Sequence, residues 1–273
     1  MDAAPARRPL LQRALDTAIT LLLWVYFLGG FVFLPPVYIA AHLLGARGER
    51  TIQRLNSRFY RGFFALVRVL MPGHRWRVRP EVRAVRSSVV VCNHVSYLDS
   101  ILMISLFDRH TTLVKGRLFD IPVFGTMLRW AGYIPAAAEG RLAGLMVERV
   151  ERLRDFLAAG GNLFVFPEGT RSRDGRIGRF SSGAFKVARH CGAPIRVVSI
   201  RNTDRMFRPG SFAFDTRGPN TVHVELVGTL EPSAHASTAA VMEAVRAMLA
   251  AAAGPAAAAD PISLTSAGTD AQP

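Results

Sequence analysis

Between Ala18 and Leu44 the chain carries no Asp, Glu, Lys or Arg, and that stretch restricts the fold more than any other. A helix of roughly 20 apolar residues covers a bilayer core, so the segment is long enough for one tilted span. Gly29-Gly30 and Pro35-Pro36 interrupt it, Arg7, Arg8 and Arg13 precede it, and Arg47, Arg50, Arg54, Arg58 and Arg61 follow it. Arginine favours the cytoplasmic side, and here it flanks both ends. Breakers in the middle and arginine on both sides predict a bent, membrane-embedded hairpin with both ends in the cytoplasm. A single span and a cleaved signal peptide are the other readings, the latter disfavoured because no clear small-x-small site follows the apolar core.

The whole 273-residue chain is half hydrophobic and has a formal net charge of +14. Lys115 and Lys186 are its only lysines, so the positive charge is nearly all arginine. Such a surface suits an acidic partner: anionic phospholipid, nucleic acid or an acidic acyl-carrier protein. It also suits a merely solvated face in an arginine- and alanine-rich chain. The basic residues are dispersed and form no nucleic-acid module, so nucleic acid is set aside. The only two cysteines, Cys92 and Cys191, make no disulfide framework and no metal-ligand spacing, and both sit in apolar stretches that predict burial.

Arg61 to Met71 places Phe63, Phe64, Val67 and Leu70 on one helical face, either at a membrane surface or packed on a domain. From Ser87 onward, β-branched runs predict strands at Ser88–Cys92, Thr111–Val114, Asn162–Phe166, Ile195–Ile200 and Thr221–Val227. Helical spacing fills the gaps, with Arg141–Ala158 stopped by Gly160-Gly161. Alternating β and α elements predict an α/β fold: a mixed sheet flanked by helices, with an N-terminal membrane-embedded helical segment. The organisation expected is a membrane-associated region over 1–72, a catalytic domain over 73–253, and a disordered Ala/Ser/Thr/Gly/Pro-rich tail over 254–273.

Two motifs carry chemistry. Asn93 to Asp99 reads NHVSYLD and follows a strand. A neutral His94 imidazole can take a proton from a hydroxyl near pH 7, and a carboxylate on its other nitrogen fixes the tautomer. A His with an acid five residues on is a weak signal alone. Phe166 to Ser172 reads FPEGTRS, also follows a strand and is expected to turn toward a helix. Pro167 and Gly169 shape a tight turn, Glu168 can hold the arginine or an acceptor hydroxyl, and the Arg171 fork suits phosphate or carboxylate. As structural punctuation, such a turn with a surface arginine is common.

Together the motifs resemble the glycerolipid acyltransferase family, whose best-known members are 1-acylglycerol-3-phosphate acyltransferases. Asn93, His94 and Asp99 match its first block, Phe166–Ser172 match its third in full, and the resemblance covers about Ser87 to Gly228. It implies His94 as general base, Asp99 as its support, and direct attack of an acceptor hydroxyl on an acyl thioester without an acyl-enzyme. In keeping with that, the chain has no Gly-x-Ser-x-Gly elbow. Backbone N–H groups near the catalytic turn are expected to hold the oxyanion. Asn93, Lys115, Glu168, Gly169, Thr170 and Arg171 are the implied substrate-binding residues. No cofactor or metal is implied, and the co-substrate is acyl-carrier protein or coenzyme A carrying the acyl group.

Two positions depart from the family pattern. Ala138 stands where the second block carries an arginine near the acceptor phosphate, with Arg141 three residues on as a substitute or a solvated residue. Val197 stands where the fourth block carries a second proline. The leading expectation is acylation of the 2-hydroxyl of 1-acylglycerol-3-phosphate at the cytoplasmic face of the inner membrane. Its rivals are another lysolipid acceptor, such as lyso-ornithine lipid or a lysophospholipid, and a membrane-anchored lipid-binding protein without turnover.

Overall fold

A computed structural model describes residues 10–43, 48–136, 140–172, 176–235 and 237–253, apart from the His42 side chain. Ala138 and the tail from 254 lie outside the described residues. Among the described residues seven strands form one sheet in the order β1-β7-β6-β2-β5-β3-β4. They are β1 (His74–Val78), β2 (Ser88–Cys92), β3 (His110–Lys115), β4 (Ile134–Ala136), β5 (Asn162–Val165), β6 (Ile195–Arg201) and β7 (Asn220–Leu230). Neighbouring strands run parallel except β6 and β7, so the sheet is mixed.

Helices cover both faces. On one lie α1 (Leu10–Leu43), α2 (Glu49–Leu70), α3 (Pro80–Ala84), α4 (Leu98–Leu106) and α5 (Phe124–Trp130). On the other lie α6 (Ala143–Glu151), α7 (Leu153–Ala158), α8 (Gly183–Cys191) and α9 (Thr238–Ala253). The central strand β2 shows why its SVVVC run is uniformly apolar. Val90 and Cys92 enter the core beneath α2 and α4, while Val89 and Val91 enter the core beneath α7 and α8, and all four are fully buried. Successive side chains of a strand point to opposite faces, and a strand covered on both sides needs apolar residues at every position.

The sequence runs found the interior strands and missed β1 and β4, the two sheet edges. Along β1 (HRWRV) Arg75 and Arg77 are exposed, and β4 contains Pro135, so neither reads as a β-branched run. The stretch expected as one helix over Arg141–Ala158 is divided at Arg152 into α6 and α7, after a 3-10 turn over Gly140–Leu142. Cys92 is buried as expected, whereas Cys191 at the end of α8 is only half-buried.

The hairpin expected within the apolar segment does not form: α1 is one continuous helix through both pairs of breakers. Pro35 and Pro36 remove the N–H groups that would bond the carbonyls of Phe31 and Val32. Packing holds the helix despite that. Leu34 and Tyr38 are buried, Tyr38 hydrogen-bonds Asn56 of α2, and its ring meets Trp130 of α5 edge-on at 6.2 Å. Gly30 is a contact residue rather than a breaker, since a Cβ there would sit 2.5 Å from the Phe59 ring of α2. The helix face ending at Met71 turns inward too: Phe63, Phe64 and Val67 are buried. Residues of α1 and α2 thus share one core with Leu102 and Val198, across the boundary expected at residue 72.

Candidate active site

The site forms at the carboxyl edge of the sheet, where ligands of open α/β sheets gather. Strands β2 and β5 are adjacent and parallel, so NHVSYLD and FPEGTRS emerge side by side. Asn93 is buried, donates to the carbonyl of Ile200 at 2.8 Å and accepts the Ile200 N–H at 2.8 Å. Its side-chain nitrogen and oxygen thereby clamp the start of the motif to β6.

Beyond the clamp the chain turns into α4, whose first turn carries Asp99. His94 Nδ1 lies 2.9 Å from Asp99 Oδ2. The same oxygen accepts the backbone N–H groups of Val95 at 2.7 Å and Ser96 at 2.8 Å. Asp99 Oδ1 accepts the Thr203 hydroxyl at 2.6 Å, and Asp99 is fully buried. The imidazole stacks on Phe166, with centroids 4.2 Å apart and planes 23° apart. With Nδ1 committed to Asp99, Nε2 is the nitrogen left to take a proton. The N–H groups of residues 94, 95 and 96 all bond carboxylates, so the oxyanion donors expected near the catalytic turn are not among these three.

FPEGTRS is tied to this pair from the other side. Gly169 has φ 67°, a left-handed conformation that glycine adopts freely, and its N–H closes a turn on the Phe166 carbonyl at 3.0 Å. Glu168 Oε1 accepts the His94 N–H at 3.2 Å, Oε2 accepts the Gly178 N–H at 2.8 Å, and Ser172 N–H donates to the His94 carbonyl at 2.8 Å. Burial pushes the Glu168 carboxyl up, against the downward pull of those two N–H bonds. After the motif, the described residues 176–182 are not helical, and α8 begins at Gly183.

The Arg171 guanidinium carbon lies 3.4 Å from the centroid of the Tyr97 ring, a cation–π contact that parks the positive charge beside the dyad. Its Nε is buried without a hydrogen-bond partner among the described residues. Thr170 and Gly169 are exposed at the turn. Lys115 ends β3, exposed on the same sheet edge and separated from β2 by β5, about 10 Å sideways at ordinary strand spacing. Arg141 pairs with Asp120 at the surface.

An apolar cavity of about 520 Å³ opens next to the turn that carries His94 and Asp99. Trp24 and Phe27 of α1, Phe63 of α2, Leu98 of α4, and Phe207 and Phe212 wall it. The last two belong to the loop between β6 and β7, which is strapped to α1. Trp24 Nε1 donates to the Phe212 carbonyl at 3.0 Å, Phe214 N–H donates to Thr20 at 3.2 Å, and Thr216 and Arg217 both bond Asp16. The strap's near end holds the motif: the Ser96 hydroxyl donates to the Phe207 carbonyl at 2.8 Å. Sequence reasoning missed Phe166, Thr203 and this strap as parts of the site. Only Phe166 left a signal, as the first letter of the second motif.

A His–Asp pair thus stands on the edge of a helix-covered mixed sheet, beside an apolar cavity. Residues 76–201 match the family model described as Acyltransferase. It is 34% identical over 123 residues to the chloroplastic 1-acyl-sn-glycerol-3-phosphate acyltransferase BAT2 of Brassica napus, covering 45% of this chain and 35% of that one. It is 26% identical over 165 residues to the 1-acyl-sn-glycerol-3-phosphate acyltransferase of Pseudomonas aeruginosa, covering 58% of this chain and 60% of that one. The chain thus spans about a third of the length of the first of these relatives. The crystal structure of the 1-acyl-sn-glycerophosphate acyltransferase PlsC from Thermotoga maritima superposes with TM-score 0.64 and 22% identity, over 87% of this chain and 95% of that one. At that identity the likeness establishes the shared fold.

Proposed function

We propose that the protein transfers a fatty acyl group from an acyl thioester to the 2-hydroxyl of 1-acylglycerol-3-phosphate, giving phosphatidic acid. The observation that carries this reading is the 2.9 Å pairing of His94 Nδ1 with a fully buried Asp99, which leaves Nε2 as the base. Nε2 removes the acceptor's hydroxyl proton as its oxygen attacks the thioester carbonyl. The tetrahedral intermediate collapses, the C–S bond breaks, and the proton held on His94 passes to the departing thiolate. No side chain is acylated, so the balance needs only the two substrates.

In this reading Arg171, held beside the base by Tyr97, meets the acceptor phosphate, with Lys115 further along the edge. The apolar cavity takes a hydrocarbon chain; its volume falls within the roughly 300–1,000 Å³ usual for ligand pockets. The donor is acyl-carrier protein or coenzyme A in thioester form, and no cofactor or metal enters. The pairing of Arg141 with Asp120 at the surface favours a second acceptor as the alternative, since it engages the cation expected to substitute for the arginine absent at Ala138. A lysolipid with another headgroup uses the same chemistry.

The exposed apolar face of α1 supports membrane attachment, and the cytoplasmic face of the inner membrane is proposed from the arginines that flank the segment. Leu22, Val25, Val32, Ile39 and Leu43 point outward, while Leu23, Leu34 and Tyr38 point into the core. A helix packed on its own domain from Asp16 to Tyr38 fits an orientation along the bilayer surface, half immersed, better than one crossing it.

The decisive experiment is acyl transfer by the purified protein, in lipid vesicles, from acyl-carrier-protein and coenzyme A thioesters to a panel of lysolipids, with His94→Ala alongside. Turnover of 1-acylglycerol-3-phosphate that falls by about 10²–10⁴-fold in His94→Ala supports the reading. Turnover of lyso-ornithine lipid alone replaces the acceptor, and turnover of none by a folded protein leaves a lipid-binding role.

A further inference from the structure

The Asp99 carboxylate is held unevenly. Three donors, from His94, Val95 and Ser96, converge on Oδ2, and all three come from the same short turn. Among the described residues Oδ1 has one donor, the hydroxyl of Thr203, at 2.6 Å and from 104 positions away in the chain. Both residues are fully buried, away from bulk solvent. A carboxylate pinned at one oxygen can still swing about the bond joining it to its side chain. A second donor on the other oxygen fixes its plane, and the imidazole bonded to Oδ2 takes its orientation from that plane.

The fold goes out of its way to deliver this hydroxyl. β6 lies directly beside β2 and continues past it, with Cys92 opposite Val198 and the Asn93 side chain clamped on Ile200. At Asn202 the backbone takes φ 67°, a left-handed turn uncommon outside glycine and most tolerated by asparagine. The turn is secured at its ends: Asn202 Nδ2 donates to the Thr221 carbonyl at 2.8 Å, and Asn220 Nδ2 donates to the Asn202 carbonyl at 2.9 Å. It drops Thr203 onto Asp99. Thr203 then starts a helical turn, its carbonyl accepting the N–H groups of Met206 at 3.2 Å and Phe207 at 3.0 Å.

From this geometry we infer that Thr203 is a positioning residue of the site, acting through Asp99 to fix the plane of the carboxylate that orients His94. It touches neither substrate nor reacting atom. The inference rests on the reading of His94 as the base and adds a third residue, from the far side of β6, to the machinery of the two motifs.

The test compares Thr203→Val, which keeps the shape and removes the hydroxyl, with Thr203→Ser, which keeps the hydroxyl. Both are assayed in the full-length protein with 1-acylglycerol-3-phosphate and the better thioester donor. The expected result for Thr203→Val is a kcat lower by about 10–100-fold, with KM for both substrates within about twofold of the parent. Thr203→Ser recovers most of the activity. In an Asp99→Asn background, adding Thr203→Val costs no more than about twofold, since two residues acting through one contact are not additive. A Thr203→Val enzyme with kcat within about twofold of the parent overturns the inference, as does Thr203→Ser behaving no better than Thr203→Val. The downfield proton resonance of the His94–Asp99 hydrogen bond gives a readout independent of turnover. It is expected to broaden or shift in Thr203→Val and to return in Thr203→Ser, and an unchanged resonance in Thr203→Val overturns the inference. If the parent acylates no lysolipid, the acyl-transfer reading falls while the resonance still decides the role of Thr203.

Discussion

Glu168 holds the backbone of His94: its Oε1 accepts the His94 N–H at 3.2 Å while its Oε2 accepts the Gly178 N–H at 2.8 Å. One carboxylate therefore bridges the catalytic turn and the segment after the second motif. Removing it as Glu168→Ala strands two donors. Glu168→Gln keeps one acceptor and turns an NH2 group toward the other N–H. The expected order of kcat is parent, Gln, Ala, with Ala down by at least about tenfold. Hydrogen exchange at Gly178 is expected to quicken in Glu168→Ala, and an unchanged rate there would falsify the bridge.

Arg171 is tested by charge and by its aromatic seat. A charge-assisted contact to phosphate is worth roughly 1.5–3 kcal/mol, so Arg171→Ala is expected to lower kcat/KM for 1-acylglycerol-3-phosphate by at least about tenfold. Tyr97→Leu keeps the guanidinium and removes the ring beneath it. It is expected to raise KM for the same substrate by less than Arg171→Ala does. Equal KM in parent and Arg171→Ala enzymes would take Arg171 out of acceptor binding.

His110 makes the fold acid-sensitive. It is fully buried in β3, its Nδ1 2.8 Å from the Phe107 carbonyl and its Nε2 2.9 Å from the Tyr133 hydroxyl. Burial, the largest cause, pulls its pKa from 6.5 down to about 4. Between those values the unfolded chain binds a proton that the folded chain does not, so stability falls as pH drops from 6.5 toward 4. The full loss is about 3 kcal/mol, since each tenfold weakening of proton affinity corresponds to about 1.36 kcal/mol. Denaturant unfolding across that window is expected to show this slope in the parent and a shallower one in His110→Asn. Parallel slopes in the two proteins would place the acid sensitivity elsewhere.

The two faces of α1 give a paired prediction. Val25→Glu and Val32→Glu change side chains that are 67% and 65% exposed, so each is expected to leave the melting temperature nearly unchanged and to weaken flotation with anionic vesicles. Gly30→Leu drives a side chain into the Phe59 ring and is expected to destabilise the protein by about 1–3 kcal/mol, with little direct effect on vesicle binding by the folded fraction. Undiminished flotation of the Val25→Glu, Val32→Glu double variant would remove α1 from the membrane contact.

What the sequence revealed follows from how each feature is encoded. His94, Asp99 and the FPEGTRS turn lie in contiguous strings, and the central strands β2 and β6 are rich in Val and Ile because both of their faces are covered. The edge strands β1 and β4 escaped because exposed arginines and a proline mask them. The helix α1 was misread as a hairpin because Gly30 and the proline pair look like breakers until Phe59 and Tyr38 are seen packing against it. Thr203 could not be read at all: a lone hydroxyl gains its meaning from a strand order that brings β6 beside β2.

The strap from β6 to α1 bears on how the protein can be dissected. Cutting the chain after Leu70, a natural choice for obtaining a soluble fragment, would remove Trp24, Phe27 and Phe63 from the cavity wall and leave Phe212, Phe214 and Thr216 without the side chains that hold them. The loosened loop begins at the residue bonded to Asp99. Such a fragment would keep every letter of both motifs and lose the floor on which they stand, so an inactive truncation says nothing against either motif. Detergent or nanodisc preparations of the intact chain are the proper ground for kinetics, because the helix proposed as the anchor also walls the cavity proposed for a hydrocarbon chain, with Leu22 facing outward and its neighbour Leu23 facing in.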